Sequence, residues 1–188
     1  MSTVPVEDQL RRAGLEMLGF CTGLSGHAPQ WRHDAALLED LSPAEADALG
    51  ALMPLVRARP GQALIREGDV GDWMLLILSG TGDVVKKAES GTADVTPGGT
   101  VDGAVSRLAV IRQGAAVGEM SMLDAAPRYA SCIAIDEVEA GVLTRATIAH
   151  LIHEHPAVGA KLLVKLTQLL AQRLRNTSNQ LVKLLQKQ

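Results

Sequence analysis

The sequence predicts an α+β fold: a small barrel or jelly roll of short strands, set between helical ends and followed by a long C-terminal helix. Three observations carry this. From Val56 to Leu143 short apolar segments alternate with turn signals, a spacing typical of small all-β units. Eighteen glycines and eight prolines in 188 residues supply the turns that such a unit needs. Outside that stretch the apolar residues recur at helical spacing. The length suits one compact domain with an appendage, and with aromatics at only 2% the core must be aliphatic.

Residues 1–33 read as an N-terminal extension with a short amphipathic helix, since Val6, Leu10, Ala13 and Met17 fall on one helical face. Gly23, Gly26 and Pro29 then break it. Residues 34–156 form the strand unit with its flanking helices. Helix is expected over 34–55, where Ser42, Pro43 and Glu45 make a capping box with proline at the first helical position. Turns follow at Arg59–Gln62, at Glu67–Asp69 and at Val70–Asp72. Trp73–Leu78 is a continuous apolar run of strand length, closed by Ser79-Gly80, and Asp83–Lys86 follows.

Residues 88–106 hold Gly, Thr, Ala and Ser with almost no large apolar side chain, which predicts a mobile hairpin excursion. Strand patterns resume at Leu108–Ile111, Ser131–Ile135 and Glu139–Leu143. Ala146–His153 reads as a helix, and Pro156 restricts His155 and marks a break. Residues 157–188 are one long helix to about Leu185. Along it Leu163, Thr167, Leu170, Leu174, Thr177, Leu181 and Leu184 alternate by four and three, a heptad seam suited to parallel pairing with a second copy.

The net charge of −3 gives no global attraction to nucleic acid, although Pro156 to the end carries six cations and no Asp or Glu. These read first as a solvated face and second as a patch for an acidic partner. Cys21 and Cys132 fit no ligand spacing and suggest a reducing compartment. Neither a signal peptide nor a membrane span is recognisable, so a cytoplasmic protein is expected. His150, His153 and His155 lack a carboxylate or third ligand on one face, so no metal is expected.

The chemistry is concentrated between Val117 and Ser131. Gly118 precedes a short helical turn whose first amides, those of Glu119, Met120 and Ser121, are free to meet an anion. Glu119 offers a carboxylate for a hydroxyl. Arg128, after Pro127, offers a planar fork for a phosphodiester. No nucleophile stands beside a base, so such a site binds without turnover. Taken alone, Glu119 and Arg128 are equally readable as a buried ion pair, and Trp73 as a core anchor.

Residue by residue this stretch resembles the phosphate-binding cassette of the cyclic-nucleotide-binding family, which includes the catabolite activator protein and the regulatory subunits of protein kinase A. The matching residues are Gly118, Glu119, Met120, Leu123, Pro127, Arg128, Ala130, Ser131 and Ala134. Arg59–Asp69 and Leu76–Gly80 look like the family's first two hairpins, and Gly114 like the glycine before its cassette. His155-Pro156 and Leu169–Arg175 look like its B and C helices. Together these cover roughly residues 34–188.

The resemblance implies a jelly-roll-like β-roll of about eight strands flanked by helices, with the C-terminal helix as a lid. It implies a cyclic nucleotide as ligand: cyclic AMP by default, with cyclic GMP or a cyclic dinucleotide as alternatives. It implies contacts from Gly118, Glu119, Met120, Ser121, Arg128, Tyr129 and Ala130, and places Thr177 and Ser178 at the base, from the two subunits of a homodimer. Tyr129, Val117 and Ala115-Ala116 depart from the family pattern, Tyr129 next to the phosphate-binding arginine. The expected function is a non-catalytic sensor that passes C-helix movement to a protein partner. The alternative is a degenerate fold serving as a ligand-free interaction scaffold. The sequence ends at Gln188 without a helix-turn-helix, so direct DNA reading is not expected.

Overall fold

The apolar run at Trp73–Leu78 is buried on both faces, and the fold is arranged around it. The computed structural model describes residues 5–27, 37–87 and 105–186. In chain order the elements are α1 (Val6–Arg12), β1 (Glu16–Phe20), a single 3-10 turn (Leu24–Gly26), α2 (Pro43–Gly50), β2 (Pro54–Ala58), β3 (Ala63–Ile65), β4 (Trp73–Ser79), β5 (Thr81–Lys87), β6 (Val105–Arg112), β7 (Ala116–Val117), α3 (Glu119–Asp124), β8 (Ser131–Ala134), β9 (Val138–Thr144), α4 (Arg145–Glu154) and α5 (Pro156–Leu185).

The strands form two antiparallel sheets, ordered β1-β2-β9-β4-β7 and β3-β8-β5-β6. Alternation along β4 explains its unbroken hydrophobicity. Trp73, Leu75 and Ile77 face the interior of the roll with Val56, Leu64, Ala140 and Val142. Met74, Leu76 and Leu78 face outward onto a second core built from Leu49, Met53, Leu151, Leu162 and Leu166 of the helical layer. A strand buried on both faces has no polar positions to alternate with.

This topology sets the position of the cassette. β7 pairs with β4 through Leu75↔Val117 and Leu76↔Ala116, which holds Val117 at the edge of the first sheet. β8 pairs with β5 through Val84↔Cys132 and Val85↔Ser131 in the second. Residues 118–130 therefore bridge the two sheets across one end of the roll.

The sequence expectations hold in part. Ser42 and Glu45 form the full capping box, with the Ser42 amide donating to Glu45 Oε2 at 2.8 Å and the Glu45 amide to Ser42 Oγ at 3.3 Å. Over the described part of 34–55, however, helix is confined to Pro43–Gly50, and Leu37 and Leu38 reach the core from a turn. The N-terminal helix ends at Arg12. Gly14, at φ 80°, turns the chain, and Met17 lies in β1, paired with Val56 of β2, instead of extending the helix. Except for Val105 and Ser106, which belong to β6, the expected excursion over 88–106 lies outside the described residues; the flanking strands β5 and β6 pair as a hairpin. No described helix is long and apolar enough to cross a membrane.

Helix α5 is amphipathic in two stages. Its inner face, Val158, Leu162, Lys165 and Leu166, is buried on the helical layer and the chain before α2. There Lys165 Nζ meets Glu39 Oε2 and Asp40 Oδ2, each at 2.9 Å, and Lys161 meets Glu45 at 2.7 Å. The heptad seam lies on a different face: Leu163, Leu174, Leu181 and Leu184 are exposed in the single chain.

Candidate functional site

The cassette is braced by the segment that follows β3. The Arg128 amide donates to the Asp69 carbonyl at 2.8 Å, the Gly68 amide to the Arg128 carbonyl at 2.9 Å, and the Glu67 amide to Ser131 Oγ at 2.9 Å. From the other side Arg145 of α4 donates to the Met122 carbonyl at 2.8 Å, which fixes α3 against the helical layer.

Gly118 stands at the N-cap of α3 with φ 87°, a conformation that glycine adopts without steric cost. Space demands glycine as well. A Cβ there would lie 2.8 Å from both Arg128 Nη1 and Ile65 Cδ1. The Arg128 side chain is 4% exposed, donates from Nη1 to the Gly118 carbonyl at 2.8 Å and from Nη2 to the Trp73 carbonyl at 2.7 Å, and lies 4.3 Å over the Trp73 ring. Trp73 is thus both core anchor and platform for the arginine. Burial pulls the Arg128 pKa down to about 10, against the opposing influence of Asp72, Asp69 and Glu119; the group remains cationic at neutral pH. No carboxylate among the described residues comes within ion-pair distance of it.

Glu119 is fully buried. Its partner is not Arg128, as a buried ion pair would require, but Arg173 of α5, which hydrogen-bonds Glu119 Oε1 through Nη1 and donates from Nη2 to the Ala116 carbonyl at 2.5 Å. Glu119 Oε2 is buried with no hydrogen-bond partner. Such an atom carries a desolvation cost of about 1–3 kcal/mol that a ligand donor would relieve.

Glu119 and Arg128 border one cavity of about 390 Å³, within the range of small-molecule sites. Of the sequence-predicted residues, Gly118, Glu119, Met120, Ser121, Arg128, Tyr129, Ala130 and Thr177 line it. Ser178, the next residue on α5, is exposed and is not among the lining side chains of its own chain. Tyr129 is 58% exposed at the mouth, with Lys86 Nζ 4.2 Å from its ring centre and 2.9 Å from its carbonyl oxygen. Val84, Leu108 and Ile111 supply an apolar wall.

Arg173, Asn176 and Gln180 also line the cavity, and sequence reasoning missed all three. Their spacing was the available signal. Arg173 and Gln180 lie four residues before and three after Thr177, on the same helical face.

Residues 55–155 match the cyclic nucleotide-binding domain family. A CRP-like cAMP-activated global transcriptional regulator of Mycobacterium tuberculosis is 28% identical over 151 residues, 80% of this chain. The chain spans 60% of that relative's length. The crystal structure of a cyclic nucleotide-binding domain from Methylobacillus flagellatus is 32% identical, with TM-score 0.72 over 90% of this chain and 88% of that one. The catabolite activator protein of Thermus thermophilus is 28% identical, with TM-score 0.65 over 79% of this chain and 62% of that one. With more than half of its length matched, residues 55–155, the chain belongs to the cyclic nucleotide-binding domain family.

Proposed function

We propose that the chain is a non-catalytic, cytoplasmic sensor whose cavity takes a cyclic mononucleotide, cyclic AMP first among them, and whose output is the position of α5. One observation carries the reading. A buried carboxylate oxygen with no partner, Glu119 Oε2, and a buried guanidinium with no carboxylate, Arg128, stand on the wall of the same cavity. A ribose hydroxyl supplies the missing donor and an anionic cyclic phosphate the missing counter-charge. The cyclic AMP activation named for the Mycobacterium relative supports this choice of ligand.

Thr177 then faces the base from the same chain, and Ser178 serves the cavity of a second copy joined along the exposed α5 leucines. That homodimer, with a protein partner downstream, is the route by which the helix position is read. The geometry lends no support to a ligand-free scaffold closed by Tyr129, whose ring packs under Lys86 at the mouth.

Calorimetric titration with cyclic AMP, cyclic GMP and a cyclic dinucleotide tests the reading. Arg128→Ala is expected to weaken cyclic AMP binding about 100-fold, since charge-assisted bonds contribute roughly 1.5–3 kcal/mol each and 1.4 kcal/mol is tenfold. Absence of binding by all three ligands, or an unchanged Kd in the variant, would overturn it.

A further inference from the structure

A second cavity, of about 400 Å³, has only Ile65 and Arg128 in common with the first. Those two side chains form the partition. The second cavity lies between the N-terminal helix and the segment after β3, and its polar lining is distinctive: Gln9, three arginines (Arg12, Arg66 and Arg128) and one acid, Asp69. Its wall is anchored. Gln9 Oε1 accepts from the Trp73 indole at 3.1 Å, and Gln9 Nε2 donates to Asp72 Oδ1 at 3.2 Å, so α1 is docked onto the roll through the tryptophan on which Arg128 stacks.

The side chains of Arg12 and Arg66 form no ion pair or hydrogen bond with any described residue, and Arg128, held by the Gly118 and Trp73 carbonyls, has no carboxylate within ion-pair distance among them. Three arginines lining one concavity suit the several oxygens of a phosphate monoester. A single carboxylate beside them suits a hydroxyl.

We propose that this cavity is a second ligand site, separate from the cyclic nucleotide cavity, for a small sugar phosphate gripped by Arg12, Arg66 and Arg128 with Asp69 accepting from a hydroxyl. Arg128 borders both cavities, so their occupancies are coupled. Two anions sharing one guanidinium lower each other's affinity, and by linkage the factor is the same in both directions. This coupling rests on the proposed function of the first cavity; the second site does not.

The test uses the full chain and ribose 5-phosphate, with inorganic pyrophosphate as a probe of the charge alone. Calorimetry is expected to show saturable binding of ribose 5-phosphate that weakens at least ~10-fold in Arg12→Ala/Arg66→Ala, where two charge-assisted contacts are lost. The same double variant keeps the wild-type Tm and, without sugar phosphate, the wild-type affinity for cyclic AMP. Raising the fixed concentration of ribose 5-phosphate increases the apparent Kd for cyclic AMP to a plateau.

Three results would overturn the proposal: no saturable binding of either probe up to about 1 mM, equal binding by the double variant, or an apparent Kd that climbs without a plateau. The last would mean that both ligands compete for one cavity. If cyclic AMP does not bind at all, the function proposed above fails, while the ribose 5-phosphate isotherms still decide this site.

Discussion

Replacing Arg173 with alanine removes the ion pair by which the lid helix reaches the cassette, and the structure sets the scale of the loss. Both of its bonds disappear, the one to Glu119 Oε1 and the one to the Ala116 carbonyl, leaving a fully buried carboxylate with neither oxygen partnered. Breaking one side of a buried pair costs about 3–5 kcal/mol. The Arg173 side chain is 39% exposed, so solvent already screens its end of the pair, and the expected loss is about 1–2 kcal/mol. Urea unfolding should show the midpoint falling at unchanged m-value, and amide exchange should accelerate over 174–186. A double-mutant cycle isolates the cause. Glu119→Gln removes the buried charge, so Arg173→Ala should cost less in that background than in the wild type. Additivity within about 0.3 kcal/mol, or unchanged exchange at the end of α5, would refute the reasoning.

Gly118→Ala forces a side chain to φ 87° and into Arg128 Nη1, and is expected to destabilise by about 1–2 kcal/mol and to lower cyclic AMP affinity, read by thermal melts and calorimetry. Burial pushes the thiols of Cys21 and Cys132 each up to about 12, with Glu139 and Asp83 adding to the effect. Raised values keep both thiols protonated at pH 8, so a thiol-reactive dye should label them slowly in the native protein and rapidly in urea; fast native labelling would contradict the buried positions. Arg128 at about 10 stays charged through neutrality, so cyclic AMP affinity should be flat from about pH 6 to 9 and decline only as pH approaches the value at which the cation is lost, measured by titration in matched buffers. Leu174→Glu with Leu181→Glu places charge on two exposed seam positions and is expected to yield a monomer by light scattering with the roll's Tm retained; a wild type that is itself monomeric would remove the seam's proposed role.

Legibility in the sequence followed the range of the interactions. The capping box spans three residues and was readable, and Gly118 was readable as the residue before a helical turn, though not the closeness of Ile65 and Arg128 that demands glycine there. The two-faced burial of β4 was readable as an apolar run, though not which core each side chain entered. Met17 misled because Val6, Leu10, Ala13 and Met17 satisfy a helical period, while β1 is an edge strand whose mostly exposed residues show no alternation. Leu37 and Leu38 looked helical because buried leucines in a turn carry the same composition as a helix face. Arg173 read as one solvated cation among six in the C-terminal segment. Its partner lies 54 residues away, and only the packing of α5 over the cassette brings them together.

The two oxygens of Glu119 show how a ligand could stabilise the lid without first dislodging it. Oε1 is engaged by Arg173 and Oε2 is unpartnered, so a ribose hydroxyl can occupy the second while the first still holds α5. Occupancy by the proposed ligand would therefore add to the contact between cassette and helix instead of competing with it. Beyond Arg173 the helix has little else to hold it to the roll: Asn176, Thr177 and Gln180 border the cavity but are exposed. A base lying in the cavity would give those side chains a surface to rest on. Ligand shifts an equilibrium only through contacts that differ between the two arrangements. Under the proposed function the differing contacts would be those of residues 176–180 with the ligand, and the exposed leucines at 174, 181 and 184 lie on the same helical segment. Thr177 belongs both to the cavity lining and to the heptad seam, so under that proposal ordering residues 176–180 around a ligand would also position the seam leucines for whatever packs against them.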